Sequence, residues 1–353
     1  MGRPGMPKNG CRPVEDMRRD EDAVSEILGV TMLLAMVVSV MASVIVVMQP
    51  FLEDLTDNRE WVAGSVAATQ FNDRLLLAAD APEGAGLVVQ SAHLANTITP
   101  LRTAETWVVS ADLAGEDRAT VSTASGLVNV TSINRTAASA IAIGPSGNET
   151  WNLADGEGNH TLSISTTTWF VIDLYDGSGD HIHRMVHARL DGLRLATPMS
   201  EDTFLIDLVN GARIEMLPGQ APDVRLSPRL GHDEMLDGGH RVSLILLDLD
   251  VAGDIDRSRS RIELTSLGQE TFFEESARNL KIETQFTGDD TRASKFNAHW
   301  TEEHTLHSAT GDDTAYVGFG PAGRLSGIDG MTFYPTESDF HFDFILQQVE
   351  VTG

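Results

Sequence analysis

Histidines grouped with carboxylates are the residues of this chain whose spacing suits metal or catalytic chemistry. The three groups are His181, His183 and His187; His232-Asp233-Glu234 with His240; and His299, His304 and His307 near Glu302 and Glu303. Imidazoles at such spacing can bind zinc, but the His-Glu-x-x-His pattern of zinc proteases does not occur. Alternate residues of a strand share a face, so His181, His183 and His187 would lie together if that stretch is a strand. We interpret these histidines as polar side chains on a solvated face.

The segment Asp176-Gly177-Ser178-Gly179-Asp180 carries oxygen-bearing side chains at alternate positions, as the start of a calcium loop does. His181 stands where such a loop has glycine, and His187 stands where it has glutamate, so we interpret the segment as a turn. The sequence also contains no nucleophile elbow and no phosphate-binding loop. It therefore predicts no catalytic residue, no metal ligand and no cofactor, and we do not expect an enzyme.

The elements that position these residues begin with an uncharged run from Ile27 to Met48, twenty-two residues long. At about 1.5 Å per residue a helix of this length covers about 33 Å, enough for a hydrocarbon core of about 30 Å. A secretory signal has a shorter apolar run followed by a small-residue cleavage site, and the core helix of a soluble protein is usually shorter as well. The sequence predicts one transmembrane helix at 27–48.

Arginines stand on the N-terminal side of this run, and mainly acidic residues follow it. Arg18 and Arg19 precede it, whereas Glu53, Asp54 and Asp57 follow it. Positive residues favour the cytoplasmic side of a membrane. We expect the N-terminus to lie in the cytoplasm and the remainder of the chain to lie outside the cell.

The residues before the run have a recognisable order: Arg18-Arg19, the acidic triplet Asp20-Glu21-Asp22, Ala23, and then Val24-Ser25-Glu26. This order resembles the class III signal peptide of archaeal type IV pilins, and Val24 to Val30 is similar to the N-terminal helix of that family. The resemblance implies that a prepilin peptidase removes residues 1–23 as a leader, cutting between Ala23 and Val24.

The resemblance also implies a filament assembled from this chain and other pilin subunits. In that family a glutamate near the new N-terminus pairs with the amino terminus of a neighbouring subunit, and Glu26 is the matching residue. An ordinary first-turn carboxylate next to the lipid headgroups is the alternative for Glu26. Ala35, Ser39 and Ser43 recur every four residues, and small residues at this spacing let membrane helices approach closely. We assign all four residues to assembly.

The helix is predicted to continue beyond the membrane. Pro50 should kink the helix without ending it, and the stop signal comes at Asp80 to Gly86, so the long helix covers 24–80. The predicted packing stripe for a globular head is Leu52, Leu55, Val62, Val66 and Leu76 or Leu77.

From Leu87 onward the hydrophobic period is two, and short β-branched segments alternate with Gly, Asn and Asp turns. The predicted fold class is α+β: a long N-terminal transmembrane helix followed by a large antiparallel, β-rich, sandwich-like ectodomain. A weak boundary near residues 196–200 divides it into a glycosylated region, 81–197, and a C-terminal region, 198–353. One continuous β domain is the alternative.

Four Asn-x-Thr acceptor sites lie in the first of these regions. Their asparagines are Asn129, Asn134, Asn148 and Asn159. Such a cluster on an extracellular segment predicts N-glycosylation and a solvent-facing surface.

The chain is strongly acidic. It has 25 Lys and Arg residues against 52 Asp and Glu residues, a formal net charge of −27. This charge repels nucleic acid, so nucleic acid is not an expected partner. Three lysines against twenty-two arginines suggest a protein of high-salt surroundings, with a GC-rich genome as the alternative explanation. The single cysteine, Cys11, lies in the predicted leader, so we expect no disulfide in the mature chain.

We therefore expect a pilin-like surface subunit, membrane-anchored or in a filament, and a minor subunit active in adhesion. The first alternative is a non-polymerising, membrane-anchored extracellular protein that binds a ligand or joins a surface layer. The second is a secreted hydrolase tethered by the helix. The N-terminus separates the first two, because only the pilin route removes the leader before Val24.

Overall fold

The structure is a computed structural model of the chain. It describes residues 14–90, 97–113, 119–124, 127–132, 137–145, 147–153, 160–162, 168–200, 202–236, 239–251, 255, 261–286, 315–321, 329–335 and 340–353. Two compact units are found, residues 1–59 and residues 60–353.

One long helix, α1, runs from Val14 to Ala79 and includes Pro50. Its stretch from Ser25 onward is long and apolar enough to cross a membrane. The predicted continuation of the helix past Pro50 is confirmed. The helix ends in a turn in which the Asp80 N–H donates to the Leu76 carbonyl at 3.0 Å, and Gly84 adopts a positive φ of 79° before the first strand.

The rest of the described chain is mainly β-structure. The strands are β1 Gly86–Gln90, β2 Thr97–Asp112, β3 Ala119–Ala124, β4 Leu127–Ser132, β5 Ala137–Gly144, β6 Gly147–Asn152, β7 His160–Leu162, β8 Trp169–Asp176, β9 His181–Pro198, β10 Thr203–Val209, β11 Ala212–Met216, β12 Asp223–Leu226, β13 Arg229–Glu234, β14 His240–Val251, β15 Arg261–Phe286, β16 Ala315–Pro321, β17 Asp329–Pro335 and β18 Phe340–Thr352.

Fifteen of these strands form one sheet, whose main path is β12-β11-β10-β9-β2-β15-β18-β14-β13. β1 and β17 pair with β15, β8 pairs with β9, and β5, β6 and β16 extend these branches, while β3, β4 and β7 form a separate small sheet. The described pairs are antiparallel except β14 and β18, which run parallel from Arg241 opposite His341 to Val251 opposite Val351. The α+β class, with a large and mostly antiparallel β-sheet, is confirmed.

Strand β15 links the two regions on either side of the expected boundary. Its first part, Glu263 to Ala277, pairs with β18, and its last part, Arg278 to Phe286, pairs with β2. Strand β9 pairs with β2 on one edge and β10 on the other. Strands from 81–197 and from 198–353 therefore belong to the same sheet.

Two hydrophobic clusters form most of the core, and β14 contributes to both. Val242, Leu244 and Leu246 belong to the first cluster, whereas Leu247, Leu249 and Val251 belong to the second. Because successive strand residues point to opposite faces, the two clusters lie on opposite faces of β14. β18 changes face in the same way, from Phe340, Phe342, Phe344 and Leu346 to Val349 and Val351.

The second cluster also contains the helix residues that follow Glu60. These residues are Trp61, Ala68, Phe71, Leu75, Leu76, Ala78 and Ala79. Within the second unit, Leu76 of the predicted packing stripe does pack on this cluster, but Val62, Val66 and Leu77 are each at least half exposed, so the prediction is wrong for these three residues. The sheet packs instead against a face that combines large side chains, Phe71 and Leu75, with small residues such as Ala68. A Cβ at Gly64 would already touch the Phe204 ring at 3.6 Å.

Candidate functional site

The uncharged part of α1 is exposed on every side. Each residue from Ser25 to Met48 is exposed, including the predicted assembly residue Glu26. The predicted cleavage position between Ala23 and Val24 lies inside α1, and the side chains of these two residues are outside the described part. A continuous apolar surface of this length is suited to lipid or to other helices.

The predicted small-residue face lies on one side of this segment. The Ser39 hydroxyl donates to the Ala35 carbonyl at 2.8 Å, and the Ser43 hydroxyl donates to the Ser39 carbonyl at 2.8 Å. The helix thus satisfies both hydroxyls itself, as an apolar environment requires. Ser39 and Ser43 line a shallow, open groove together with larger side chains, which are Met36, Val40, Val44, Val47 and Met48.

A polar network fixes the last turns of α1 to the sheet. Ser65 Oγ donates to Glu215 Oε1 at 2.6 Å, and Arg225 Nε donates to Glu215 Oε2 at 3.2 Å. Glu215 is buried, so the arginine compensates a charge that water does not reach. Arg213 lies beside the same carboxylate and donates to the Thr69 hydroxyl.

A second contact joins the helix to the turn between β10 and β11. Asn72 Nδ2 donates to the Gly211 carbonyl at 3.2 Å, and Asn210 Oδ1 accepts the Leu247 N–H at 2.9 Å. Asn210 and Gly211 have φ values of 56° and 69°, as a two-residue hairpin turn requires. Helix, hairpin and β14 are therefore connected through four residues.

The end of the helix is held by a third contact. Asp80 Oδ1 accepts hydrogen bonds from Arg229 Nη1 at 2.9 Å and from Gln347 Nε2 at 3.0 Å. Burial acts against ionisation, but these bonds and the Arg229 charge outweigh it and lower the pKa of Asp80. Ser266 adds a hydrogen bond from its hydroxyl to the Ala81 carbonyl at 3.0 Å.

The histidines of β9 do not form the solvated cluster that we predicted. His183 and His187 are buried. The pairing of β9 with β8 shifts register between His183, which lies opposite Leu174, and His181, which lies opposite Tyr175. His183 Nδ1 lies 2.7 Å from Asp112 Oδ1, and Asn279 Nδ2 donates to the other oxygen of Asp112 at 2.7 Å. The predicted solvated face is wrong because strands and side chains cover both sides of this part of β9.

His187 and His181 occupy different surroundings. The His187 ring stacks on Phe170 with 4.7 Å between centroids, and burial, with Arg189 nearby, lowers its pKa to about 4. His181 Nε2 lies 3.1 Å from Asp173 Oδ1. Arg184 binds both oxygens of Asp173, at 2.7 and 3.0 Å.

A buried carboxylate that the sequence analysis missed lies where β14 meets β9. Asp248 Oδ1 accepts the Asp191 N–H at 2.8 Å, and Gln348 Nε2 lies 3.4 Å from Oδ2. Burial and the negative charges of Asp191 and Asp250 raise the pKa of Asp248 to about 6, because together they outweigh these two hydrogen bonds, which lower it. Its sequence signal is an aspartate at an inward position of an apolar strand.

The other predicted sites differ in how much the structure describes. Asp176 Oδ1 accepts the N–H groups of Ser178 and Asp180 at 2.8 and 2.9 Å, so this segment is a turn closed by its own carboxylate. Asn148 is exposed on β6. Asn129 lies on β4, but its side chain is outside the described part, and Asn134, Asn159 and the histidines at 299, 304 and 307 are outside it altogether.

Among the described residues, no three His, Cys, Asp or Glu side chains come together in a way that would hold a metal ion. Several carboxylates connect elements of the fold to one another through hydrogen bonds or ion pairs. They are those of Asp80, Asp112, Asp173, Glu215 and Asp248. The absence of enzymatic activity stays a prediction. Comparisons of the chain with protein-family models, with curated proteins and with solved structures find no match.

Proposed function

We propose that this chain is a pilin-like surface subunit. A prepilin peptidase removes residues 1–23, and Val24 becomes the mature N-terminus. The helix from Ile27 to Met48 first holds the subunit in the membrane and then assembles with helices of other pilin subunits. The β-rich head stays outside the cell and acts in adhesion as part of a minor subunit, with no nucleic-acid partner.

The observation that carries this proposal is the contrast between the two parts of α1. Its N-terminal part exposes apolar side chains in every direction, whereas residues after Glu60 are bonded into the sheet by Ser65, Asn72 and Asp80. An exposed apolar helical segment that is continuous in sequence with a β-rich unit is suited to assembly through the helix. The sequence around Ala23 adds the leader-cleavage signal.

The head itself is proposed to be sandwich-like. β9 and β14 are close in space without forming a ladder, and the first hydrophobic cluster contains Val186 and Leu190 of β9 with Leu244 and Leu246 of β14. Contacts of this kind are made when two parts of a sheet face each other. The acidic composition and the scarcity of lysine support an extracellular location in high salt.

Mass spectrometry of the N-terminal peptide of membrane-extracted protein tests this function. We expect Val24 as the first residue, and a chain that still carries Arg18 and Arg19 would overturn the pilin route. Electron microscopy of cell-surface filaments, with immunogold labelling of the head, then separates assembly from simple anchoring. Processed subunits that never enter filaments would favour the anchored, non-polymerising alternative. E26Q should leave processing intact and reduce filament incorporation, because the proposed charge partner of the neighbouring amino terminus is lost.

A further inference from the structure

Strand β6, Gly147–Asn152, lies at the margin of the large sheet. It pairs with β5, from Gly144 opposite Gly147 to Ser139 opposite Asn152, and with no other described strand. β5 in turn pairs with β8, so β6 is the outermost strand of this branch. A strand in this position presents backbone donors and acceptors to any other strand that approaches it.

The exposure of β6 makes this approach easy. Residues 147–150 are exposed, and the strand contains one charged residue, Glu149, and no proline. Charged side chains, prolines and covering elements are the usual means by which proteins prevent pairing between sheet edges. Among the described residues, β6 has the first of these once, at Glu149, and no described strand other than β5 pairs with it.

One of the four acceptor sites lies on this strand. Asn148 begins the sequence Asn148-Glu149-Thr150, and its side chain is exposed. By contrast, Asn129 lies on β4, which is paired on both sides, with β3 and with β7. Asn148 is therefore the acceptor site that the structure shows both open to solvent and located on a sheet margin.

We propose that Asn148 carries an N-linked oligosaccharide that covers β6 and prevents it from pairing with β6 of a second copy of this chain. The inference rests on the proposed outward position of the head, because such glycosylation occurs on that side of the membrane. In the transfer, Asn148 Nδ2 bonds to the first sugar's anomeric carbon and loses a proton. The lipid-phosphate carrier of the sugar leaves with the electron pair of its carbon–oxygen bond.

The physical effect is that a hydrated sugar replaces the charged residues or prolines that edge strands otherwise use. Its bulk, attached two residues from Thr150 and opposite Ile143, keeps a second strand beyond hydrogen-bonding distance. The head then remains a separate unit, and copies of the subunit associate through the helix alone. Without the sugar, β6 and its copy can form an antiparallel ladder.

The test compares T150A with T150S in the full chain, expressed in a host that N-glycosylates its membrane proteins. T150A removes the acceptor sequence, whereas T150S retains it with nearly the same side chain. We expect glycopeptide mass spectrometry to show a sugar on Asn148 in the wild type and in T150S, and none in T150A or N148Q. Light scattering in detergent should then show T150A and N148Q as larger, concentration-dependent species, while T150S behaves like the wild type.

Cross-linking checks that the association uses β6. In a C11S background, N148C removes the acceptor and provides a thiol on the strand, and S178C provides an exposed thiol in the β8–β9 turn. We expect N148C to give several-fold more disulfide dimer than S178C under mild oxidation. Equal dimer yields would overturn the edge-pairing step.

An unmodified Asn148 in the wild type would overturn the whole inference, as would identical association of T150A and T150S. The same spectra report the mature N-terminus. Processing at Val24 with an unmodified Asn148 therefore contradicts this inference alone, whereas an intact leader with a sugar on Asn148 contradicts only the proposed pilin function.

Discussion

The Leu247 N–H donates to Asn210 Oδ1 at 2.9 Å, which joins the β10–β11 turn to the centre of β14. Asn210 is 1% exposed and lies in the left-handed region with a φ of 56°. One side chain thus meets two demands, a backbone conformation that few residues adopt and an acceptor for a buried amide. Asn72 of the helix binds the carbonyl of the next residue, Gly211, so the same turn also positions the helix.

Replacing Asn210 should separate these two demands. N210G keeps the conformation but leaves the Leu247 N–H without its acceptor, which lowers the unfolding free energy by about 1–3 kcal/mol. N210A also forces a side chain with a Cβ into a positive φ, which adds about 1–2 kcal/mol. Denaturant unfolding of the full chain in detergent should rank the proteins wild type, N210G, N210A. An N210G variant as stable as the wild type would contradict the role of the hydrogen bond.

The two faces of α1 should respond differently to truncation. Phe71 is fully buried against the sheet, so F71A should lower the unfolding free energy of the head by about 3–5 kcal/mol. Val66 is 52% exposed, and V66A should change the unfolding free energy of the head by less than about 0.5 kcal/mol. Thermal unfolding of detergent-solubilised protein measures both. A larger effect of V66A than of F71A would instead support the packing stripe predicted from the sequence.

His187 should make the head sensitive to acid. Its pKa is about 4 in the folded chain against an ordinary 6.5, so protons bind preferentially to the unfolded chain. The stability that neutral His187 contributes is complete above pH 6.5 and is lost as the pH falls through 4, a total of about 3 kcal/mol. H187F keeps a ring against Phe170 and cannot bind a proton. Between pH 7 and pH 4 the wild type should lose about 3 kcal/mol more than H187F, and equal losses would contradict this account.

Asp248 should act in the opposite sense. Its pKa is about 6 in the folded chain against an ordinary 3.8, so the protonated carboxyl stabilises the fold below pH 3.8 and that contribution is lost as the pH rises through 6. D248N should therefore exceed the wild type in stability at pH 8 by up to about 3 kcal/mol, and match it near pH 4. D250N removes one of the negative charges that raise the pKa of Asp248, so it should recover only part of this gain at pH 8. A D248N variant less stable than the wild type at pH 8 would refute the prediction.

Local patterns predicted the elements of this chain well. The end of the helix at Ala79 agrees with the stop signal that begins at Asp80, and strands lie where period-two segments such as Trp169 to Leu174 were found. The packing face of the helix could not be predicted in the same way, because two apolar stripes share the helical period. The buried face carries Trp61 and Phe71, but the small residues Gly64 and Ala68 between them weaken its hydrophobic signal and let the sheet approach closely.

Long-range pairing accounts for most of the other differences. The burial of His183 depends on Asp112 and Asn279, which lie 71 and 96 residues away in sequence, and the parallel ladder of β14 and β18 joins residues 100 apart. No local sequence pattern specifies contacts between residues so far apart in the chain. A local signal did exist for the change of face in β18, since Gln347-Gln348 interrupts the alternation between Leu346 and Val349.

The position of β18 between β14 and β15 has a consequence for biogenesis. Because β18 follows both of its neighbours in the sequence, a nascent or partly exported chain that still lacks β18 has a gap between β14 and β15. Until Phe340 to Thr352 arrive, the long edges of β14 and β15 have no native partner, and such edges invite wrong pairing. Chaperones that hold the chain until β18 has been made would therefore protect these two edges from wrong pairing.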